Sequence, residues 1–297
     1  MTEVSVVVAT YKRDEDLKRA LKSLADQTYR DMEIVLVNDN RTDDWKDTVT
    51  KIVDSFKSEY PEVKLQYIIN EVNQGSAKTR NIGIEASIGK YITFLDDDDV
   101  YLPEKVARQV AFMEEGKYDY SITDLDLYDD NDKPAGKRIR SYIKDTSAES
   151  LNSYHLKYHM TGTDTMMFTK EYLGKIGGFA PIDVGDEYYL IQRAIDGGGR
   201  FGYLPGSDIK AYVHTGEDAG VSSGEGKIKG ENALYEFKKG YFDKVDRKTR
   251  RYITMRHFAV LAFAELRRKK YFKFFANGLR AGFTAPIACI RMLLFER

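Results

Sequence analysis

An apolar run passes directly into four carboxylates in Tyr91-Ile92-Thr93-Phe94-Leu95-Asp96-Asp97-Asp98-Asp99. The pattern is typical of a buried strand that delivers charge to the edge of a sheet. Neighbouring carboxylates repel one another unless a cation or solvent compensates them, and Mg²⁺ is usually held by one or two carboxylates together with substrate phosphates. The stretch therefore predicts a metal–diphosphate site at a strand end. The alternative is a solvated acidic turn, but the helix start at Leu102-Pro103-Glu104 favours the site.

Upstream of this run, strand-like and helix-like segments alternate. β-branched runs predict strands at residues 4–9, 33–37 and 63–69, and each is followed by a segment with helical spacing of apolar residues. Such alternation predicts a parallel sheet with helices on both faces. Ligands of such sheets bind outside the carboxyl ends of the strands. Polar clusters fall at those ends, at residues 10–12, at Asp39 and at residues 96–99.

After Pro103 the alternation loosens. The turn residues 129–132 predict a hairpin, and residues 186–195 predict a helix. Gly216–Gly230 is rich in Gly and Ser, which predicts a mobile loop. The last sixty or so residues are predicted to be helical.

Charge is distributed unevenly along the 297 residues, although the net charge is only −1. Residues 247–297 hold 13 Lys and Arg and two Glu, a net charge of +11, so the preceding residues carry −12. Cys289 is the only cysteine, which is compatible with a reducing, cytosolic setting. The first residues show no secretory signal pattern, and no apolar stretch reaches the length needed to span a bilayer.

Two common nucleotide-binding motifs are absent from the sequence. No G-x-G-x-x-G follows the first predicted strand, and no G-x-x-x-x-G-K-[ST] occurs. A Rossmann dinucleotide site and a P-loop are therefore disfavoured. Phosphates would have to be neutralised in another way, and a carboxylate-held cation is the obvious candidate.

Four blocks occur in a recognisable order, namely residues 6–13 (Val-Val-Val-Ala-Thr-Tyr-Lys-Arg), 37–40, 73–81 and 94–99. The ordered set resembles family 2 glycosyltransferases of the GT-A fold, with a looser match as far as His214. The resemblance implies an α/β fold with a mostly parallel central sheet flanked by helices, and the helical pattern of the last residues adds a C-terminal helical extension. It also implies a catalytic domain over residues 1–230, with a nucleotide-binding half (1–105) and an acceptor half (106–230). Residues 231–297 would form a basic helical region.

The resemblance implies donor-binding roles for the matching residues. The base pocket would be lined by Ala9, Thr10 and Tyr11, and Asp39 would accept a hydrogen bond from the base, unless it is a turn residue. Arg80 would face the base or the diphosphate, unless it is a solvated helix residue, and Lys78 is a further candidate. In the acidic run, Asp98 would be the metal ligand and Asp97 the ribose contact, with Asp96 open to either role. Four consecutive Asp leave this register ambiguous by one residue.

The family places its catalytic base at the start of a helix that ends in a basic residue, so the resemblance implies a base at the start of the helix at residues 186–195. An inverting transfer needs a carboxylate that deprotonates the acceptor hydroxyl. Spacing to Leu190 and Arg193 favours Glu187, whereas the Gly185-Asp186 pair favours Asp186, and acids at a helix start are also ordinary capping residues. In several enzymes of this family a histidine at this position completes the cation's shell, so the resemblance makes His214 a candidate metal ligand. The alternative is a plain hydrogen-bonded histidine.

The basic C-terminal segment has an amphipathic pattern. One helical face carries Phe272, Phe275, Leu279 and Phe283, and Arg267-Arg268-Lys269-Lys270 precedes it. Such a helix suits an anionic membrane surface. The alternatives are a helix packed on the catalytic domain or an oligomer contact. No aromatic–basic module of a nucleic-acid-binding kind occurs, so nucleic acid is not an expected partner.

The sequence as a whole therefore predicts an inverting, metal-dependent glycosyltransferase that uses Mn²⁺ or Mg²⁺. The donor would be a nucleotide-diphosphate sugar, UDP-linked by preference, and the acceptor a surface glycan or lipid-linked saccharide. The expected location is the cytoplasm, at the inner face of the cell membrane. The alternatives are a nucleotidyltransferase and a catalytically degenerate module that binds nucleotide or serves as a scaffold.

Overall fold

The computed structural model describes residues 2–41, 43–182, 185–214 and 224–295. The chain forms two compact units, one within Met1–Thr146 and Met160–Thr215 and the other within Ser147–His159 and Gly216–Arg297. The strands are β1 (Val4–Thr10), β2 (Met32–Asn38), β3 (Lys64–Ile69), β4 (Tyr91–Phe94), β5 (Val100–Tyr101), β6 (Tyr120–Thr123), β7 (Leu125–Tyr128), β8 (Pro134–Arg138), β9 (Met167–Thr169), β10 (Phe201–Leu204) and β11 (Ile209–Tyr212).

The α-helices alternate with the strands in the first half of the chain and dominate its end. They are α1 (Glu15–Ala25), α2 (Asp43–Glu59), α3 (Ser76–Ala86), α4 (Lys105–Gly116), α5 (Ala148–Tyr158), α6 (Lys170–Lys175), α7 (Asp186–Asp196), α8 (Gly224–Lys239), α9 (Arg247–Arg267), α10 (Tyr271–Thr284) and α11 (Pro286–Phe295). Short 3₁₀ turns lie at Thr163–Thr165 and Phe242–Lys244.

The central sheet of the first unit has the order β10-β6-β9-β4-β1-β2-β3. Its described strand pairs are parallel except for those of β9, which runs antiparallel to both β4 and β6. The predicted mostly parallel sheet flanked by helices is confirmed. β1, β2 and β4 are neighbours, so their carboxyl ends meet at one edge of the sheet.

Close packing of helix α3 on the sheet aligns its first turn with that edge. A Cβ at Gly83 would lie 2.4 Å from Val7 Cγ1, so a glycine is needed for this approach. Val6, Val7 and Val8 of β1 are buried on both faces of the sheet, as their uninterrupted β-branched run predicts.

A second, four-stranded sheet has the order β5-β11-β7-β8. β7 and β8 form the predicted antiparallel hairpin around residues 129–132. β11 pairs parallel to β7 and antiparallel to β5, the short strand that follows the acidic run. This sheet therefore carries the chain from β11 directly to His214.

The second unit is helical, consisting of α5 and α8–α11. The predicted mobile loop at Gly216–Gly230 is wrong for residues 224–230, which form the start of α8, while residues 216–223 lie outside the described residues. Glycine content indicated a loop, but tertiary contact with a neighbouring helix outweighs this local preference. In the described part of the chain, no helix is both long enough and apolar enough to cross a membrane.

Candidate active site

The acidic run turns sharply after β4 and directs its four carboxylates to different partners. The Asp99 amide donates to the Asp96 carbonyl over 3.1 Å, which closes the turn. Asp97 Oδ2 accepts the Tyr11 amide at 3.1 Å, and Asp98 Oδ2 lies 3.2 Å from His214 Nε2. Asp99 Oδ1 accepts the Tyr212 amide at 2.8 Å. The run therefore joins the two sheets through specific hydrogen bonds and is not a solvated turn.

Arg80 joins the acidic run to the start of α7. Its Nη2 donates to Asp96 Oδ1 at 2.6 Å, and its Nη1 donates to Asp186 Oδ2 at 2.7 Å. Burial by itself lowers the pKa of Arg80, but the two carboxylates outweigh burial and raise it above the usual range. Arg80 thus links Asp96 of the acidic run and the candidate base Asp186 in one ion-pair network. The predicted contact of Arg80 with the base or diphosphate stays a prediction.

Three carboxylates converge beneath this network. Asp96, Asp99 and Asp164 each offer an oxygen within 4.8 Å of the others, and the Asp96 amide donates to Asp164 Oδ1 at 2.7 Å. Burial, together with the Asp164 carboxylate, raises the pKa of Asp96 and of Asp99 well above the usual range. A shared proton or a bound cation would relieve this repulsion.

The donor set at the mouth of the site fits a hard divalent cation. Carboxylate oxygens suit Mg²⁺ and Mn²⁺, and Asp98 and His214 bring an oxygen and an imidazole nitrogen together. Arg13 already binds this carboxylate. Its Nη2 donates to the same Asp98 Oδ2 at 2.5 Å, and its Nε lies 3.4 Å from Asp97 Oδ1. A cation bound by Asp98 would therefore compete with Arg13 for that oxygen.

The residues predicted to line the base pocket lie at the end of β1. Tyr11 is 48% exposed and its ring lies 5.1 Å from Lys12 Nζ, whereas Thr10 is buried and Ala9 is half-buried. Lys12 adopts a positive φ of 55°, and its amide donates to Asn40 Oδ1 at 2.9 Å. The chain thus leaves β1 in a fixed turn that presents the Tyr11 ring to solvent.

Asp39 is occupied by protein hydrogen bonds. Its Oδ1 accepts the Gln74 amide and the Asn70 side-chain amide, each at 2.8 Å, and its Oδ2 accepts the Gly75 amide at 2.9 Å. Asp39 therefore fastens the end of β2 to the segment that leads into α3. Its predicted hydrogen bond to a nucleotide base stays a prediction.

Lys78 lies exposed on the first turn of α3. It lines a cavity of about 230 Å³ together with residues 74–77, Pro181 and Ile182. Lys78 therefore faces open space at the amino end of a helix, where anions are favoured, while Arg80 on the next turn is enclosed by carboxylates.

Helix α7 begins with the two candidate bases. Asp186 is buried, and its Oδ1 accepts the Glu187 amide at 3.1 Å while its Oδ2 accepts from Arg80. Glu187 is half-buried, and burial followed by the neighbouring Asp186 carboxylate raises its pKa to about 7. Asp186 is thus held by an ion pair, whereas Glu187 has the pKa of a base that works near neutral pH.

Several residues of the site were not assigned a role from the sequence. Arg13 belongs to the first resemblance block, so its position was visible but its two ion pairs were not. Asp164 is a lone acid that β9 and its preceding 3₁₀ turn bring beside Asp96, and no local motif marks it. Asp130 was assigned only to the hairpin turn, yet its Oδ1 lies 2.6 Å from His214 Nδ1.

Comparison with known proteins places this arrangement in a family. The profile of "Glycosyl transferase family 2" matches residues 5–177, more than half of the chain. A curated relative is the UDP-Glc:alpha-D-GlcNAc-diphosphoundecaprenol beta-1,3-glucosyltransferase WfaP of Escherichia coli, which is 33% identical over 123 residues, or 41% of this chain. The match covers 46% of WfaP. Among other curated relatives the matched share of their own length ranges from 18% to 64%, so the chain spans less than two thirds of these relatives.

Two solved structures share the fold. The S. aureus TarS 1-349 structure in complex with UDP-GlcNAc aligns with a TM-score of 0.62 and 17% identity, over 95% of this chain and 91% of TarS 1-349. The mannosyltransferase PcManGT from Pyrobaculum calidifontis, in complex with GDP-Man and Mn2+, aligns with a TM-score of 0.60 and 18% identity, over 99% and 75% of the two chains. The GT-A fold expected from the sequence is confirmed, and the chain belongs to glycosyl transferase family 2.

Proposed function

We propose that this chain is an inverting glycosyltransferase that moves a sugar from a nucleotide-diphosphate sugar, UDP-linked by preference, to an acceptor hydroxyl. One observation carries the proposal: Arg80 bridges Asp96 of the acidic run and Asp186 at the start of α7. The bridge ties donor-side carboxylates to the candidate base pair across about a hundred residues of sequence. A transfer reaction needs both groups at one site.

In this proposal Glu187 takes the proton of the acceptor hydroxyl as that oxygen attacks the anomeric carbon. Asp186 positions Glu187 by accepting its amide and by binding Arg80. Lys78, in the small cavity at the start of α3, attracts the anionic donor. A divalent cation held by Asp98 and His214, Mn²⁺ or Mg²⁺, would neutralise the leaving diphosphate as a Lewis acid.

The acceptor in this proposal is a surface glycan or a lipid-linked saccharide. One relative supports the choice of acceptor class: the name of WfaP includes a diphosphoundecaprenol, and the proposal extends that chemistry to this chain. Peripheral contact of helices α10 and α11 with the inner face of the cell membrane belongs to the same proposal. Phe272 and Phe283, which the sequence places on one face of α10, are 87% and 82% exposed.

The deciding experiment measures UDP affinity by calorimetry with and without Mn²⁺, and release of UDP from UDP-sugars by the same protein. We expect Mn²⁺ to strengthen UDP binding in the unmodified chain and Asp98→Asn to remove most of that gain and abolish turnover. Asp26→Asn is the matched control, because Asp26 is an exposed acid whose one ion pair among the described residues is with Lys22 of α1. Unchanged Mn²⁺-dependent affinity in Asp98→Asn would contradict the metal assignment.

The same assay separates the alternatives. A degenerate module would bind UDP without releasing it from any UDP-sugar. A nucleotidyltransferase would release inorganic diphosphate from a nucleoside triphosphate instead. The glycosyltransferase proposal requires free nucleoside diphosphate as the product.

A further inference from the structure

A cavity of about 540 Å³ lies within the second unit, lined by helices α5, α9 and α11. Its volume falls within the roughly 300–1,000 Å³ of ordinary small-molecule sites. The apolar part of its lining includes Val260, Phe263 and Leu293, and the charged part consists of Lys157, Arg256 and Arg267. The cavity thus combines an apolar wall with three cations from two different helices.

The positive charge of this cavity is not neutralised by a carboxylate in its lining. None of its lining residues is a carboxylate. Over the ranges that the structure describes, none of its three cations lies within ion-pair distance of Asp or Glu, although the Asp246 carboxylate acts on Lys157 from outside the lining. Arg256 Nη1 lies 2.9 Å from His159 Nε2, and Lys238 Nζ lies 2.6 Å from the same nitrogen. An imidazole carries no negative charge, so His159 does not compensate the charge of Arg256.

Helix dipoles explain only part of this arrangement. Lys157 and Arg267 lie in the last turns of α5 and α9, where cations are favoured by the partial negative charge of the helix end. Arg256 lies in the middle of α9, where the dipole gives no such preference. The convergence of all three on one cavity therefore calls for an anion.

We propose that this cavity binds a phosphate-bearing amphiphile, with the phosphate against Lys157, Arg256 and Arg267 and the hydrocarbon chain along the apolar wall. Charge complementarity selects the phosphate, and the side chains of Phe263 and Leu293, which are 42% and 40% exposed, provide apolar surface at the cavity's opening. Leu293 belongs to α11, which also carries the exposed Ile287 and Ile290. The site does not depend on glycosyl transfer and would persist if that activity were absent.

Calorimetry on the full chain with four probes tests this site. Two are phosphate amphiphiles below their micelle concentrations: dihexanoyl phosphatidic acid represents membrane phospholipids, and farnesyl phosphate represents isoprenoid carriers. The two controls are inorganic phosphate, which represents the phosphate headgroup alone, and octyl glucoside, which represents a hydrocarbon chain without a phosphate. We expect at least one phosphate amphiphile to bind about tenfold or more tightly than either control, which corresponds to roughly 1.4 kcal/mol. The tighter of the two amphiphiles identifies the source of the lipid.

Charge reversals locate the binding. Arg267→Glu and Lys157→Glu should each weaken the amphiphile about tenfold or more, whereas Arg247→Glu should not, because Arg247 lies exposed on the same helix but outside the cavity lining. Arg267→Gln provides a second variant if a reversal lowers the thermal unfolding temperature. Absence of binding, equal binding of octyl glucoside, or equal loss in Arg247→Glu would overturn the proposal. UDP release measured on the same variants shows separately whether the proposed transfer is intact.

Discussion

At the scale of single residues, two carboxylates of the site have pKa values close to physiological pH. Burial and then the Asp98 carboxylate raise the pKa of Asp97 to about 6, and burial and then the Asp186 carboxylate raise that of Glu187 to about 7. Asp97 faces Arg13 and the Tyr11 amide, so it is held in place. Glu187 has a pKa near neutral pH and forms no ion pair with Lys or Arg among the described residues, as suits a general base.

The first prediction concerns Glu187 and its neighbour. Glu187→Gln should leave UDP affinity unchanged and lower kcat by about 10²–10⁴, because a base acts on the acceptor. A base works deprotonated, so the rate of the unmodified chain should rise with pH through about 7. Asp186→Asn removes one cause of the raised pKa of Glu187, so the rise in rate should shift to lower pH. The pKa should stay above the ordinary glutamate value, because Glu187 remains partly buried. Initial rates from pH 5 to 9 measure both effects.

The opposite ranking would identify Asp186 as the base. In that case Asp186→Asn would lose 10²–10⁴ in kcat, about as much as a general base contributes, while Glu187→Gln would stay active. If the pH at which the rate rises is unchanged in Asp186→Asn, Glu187 is not the group whose titration controls the rate.

The second prediction concerns Arg80. Its removal leaves Asp96 and Asp186 without their shared cation, and breaking a buried ion pair in this way costs about 3–5 kcal/mol. Urea unfolding of Arg80→Ala without ligand should show a loss in that range. Arg108→Ala is the matched control, because in the described part of the chain Arg108 pairs with one carboxylate, that of Asp208, and its side chain is 42% exposed. An exposed pair contributes about 0–1 kcal/mol, so equal losses in the two variants would refute the buried network.

At the scale of elements, the site depends on how α3 is fixed to the sheet. Asp39 at the end of β2 accepts two backbone amides from residues 74–75, and Gly75 has a positive φ of 77° that turns the chain into the helix. Gly83, two turns later, contacts Val7 of β1. These two fixed points determine the direction in which Arg80 leaves the helix between them.

The third prediction tests the first of these points. Asp39→Ala leaves the half-buried backbone amides of Gln74 and Gly75 without an acceptor, and an unsatisfied donor costs about 1–3 kcal/mol. The free energy of unfolding without nucleotide should fall by at least that amount. Asp54→Ala, at an exposed position of α2, should change it little. A stable Asp39→Ala protein that has lost only UDP affinity would assign Asp39 to the nucleotide alone.

The elements differ in how far the sequence predicts them. β1 to β4 and the helices between them follow from local periodicity, and the predicted strand bounds lie within a few residues of the observed ones. The antiparallel insertion of β9 between β4 and β6 depends on non-local pairing, which no local pattern encodes. For the same reason Asp164 was missed, since only the folded sheet brings it to Asp96. Helix α8 was mistaken for a loop because its glycines suggest flexibility, while its packing is tertiary.

At the scale of the whole molecule, the second unit carries an uncovered apolar surface. Phe272, Phe275, Leu279 and Phe283 of α10 are exposed, as are Ile287 and Ile290 of α11. The opposite side of α10 packs within the unit, where Ala281 joins a buried cluster with Met255 and Ala259 of α9. Deleting these helices would therefore expose that cluster, so substitutions on the outer face are the cleaner test of membrane contact.

The last prediction is that the full chain co-sediments with vesicles containing anionic phospholipid at low salt, and that Phe272→Glu/Phe283→Glu weakens this binding about tenfold or more. Two aromatic anchors are lost and two negative charges face an anionic surface, where each Lys or Arg contributes about 1 kcal/mol of attraction. Added salt should weaken binding of the unmodified chain, because screening shortens the range of that attraction.

Ile88→Glu/Ile139→Glu is the matched control for charge and exposure, since both isoleucines are exposed in the other unit. It should bind vesicles like the unmodified chain, and both double variants should still release UDP from the donor. Equal loss of binding in the two double variants would show that net charge, rather than the α10 face, controls sedimentation. A full chain that stays in the supernatant at low salt would exclude the membrane contact, and a Phe272→Glu/Phe283→Glu chain of altered oligomeric mass would assign the face to a second copy of the protein.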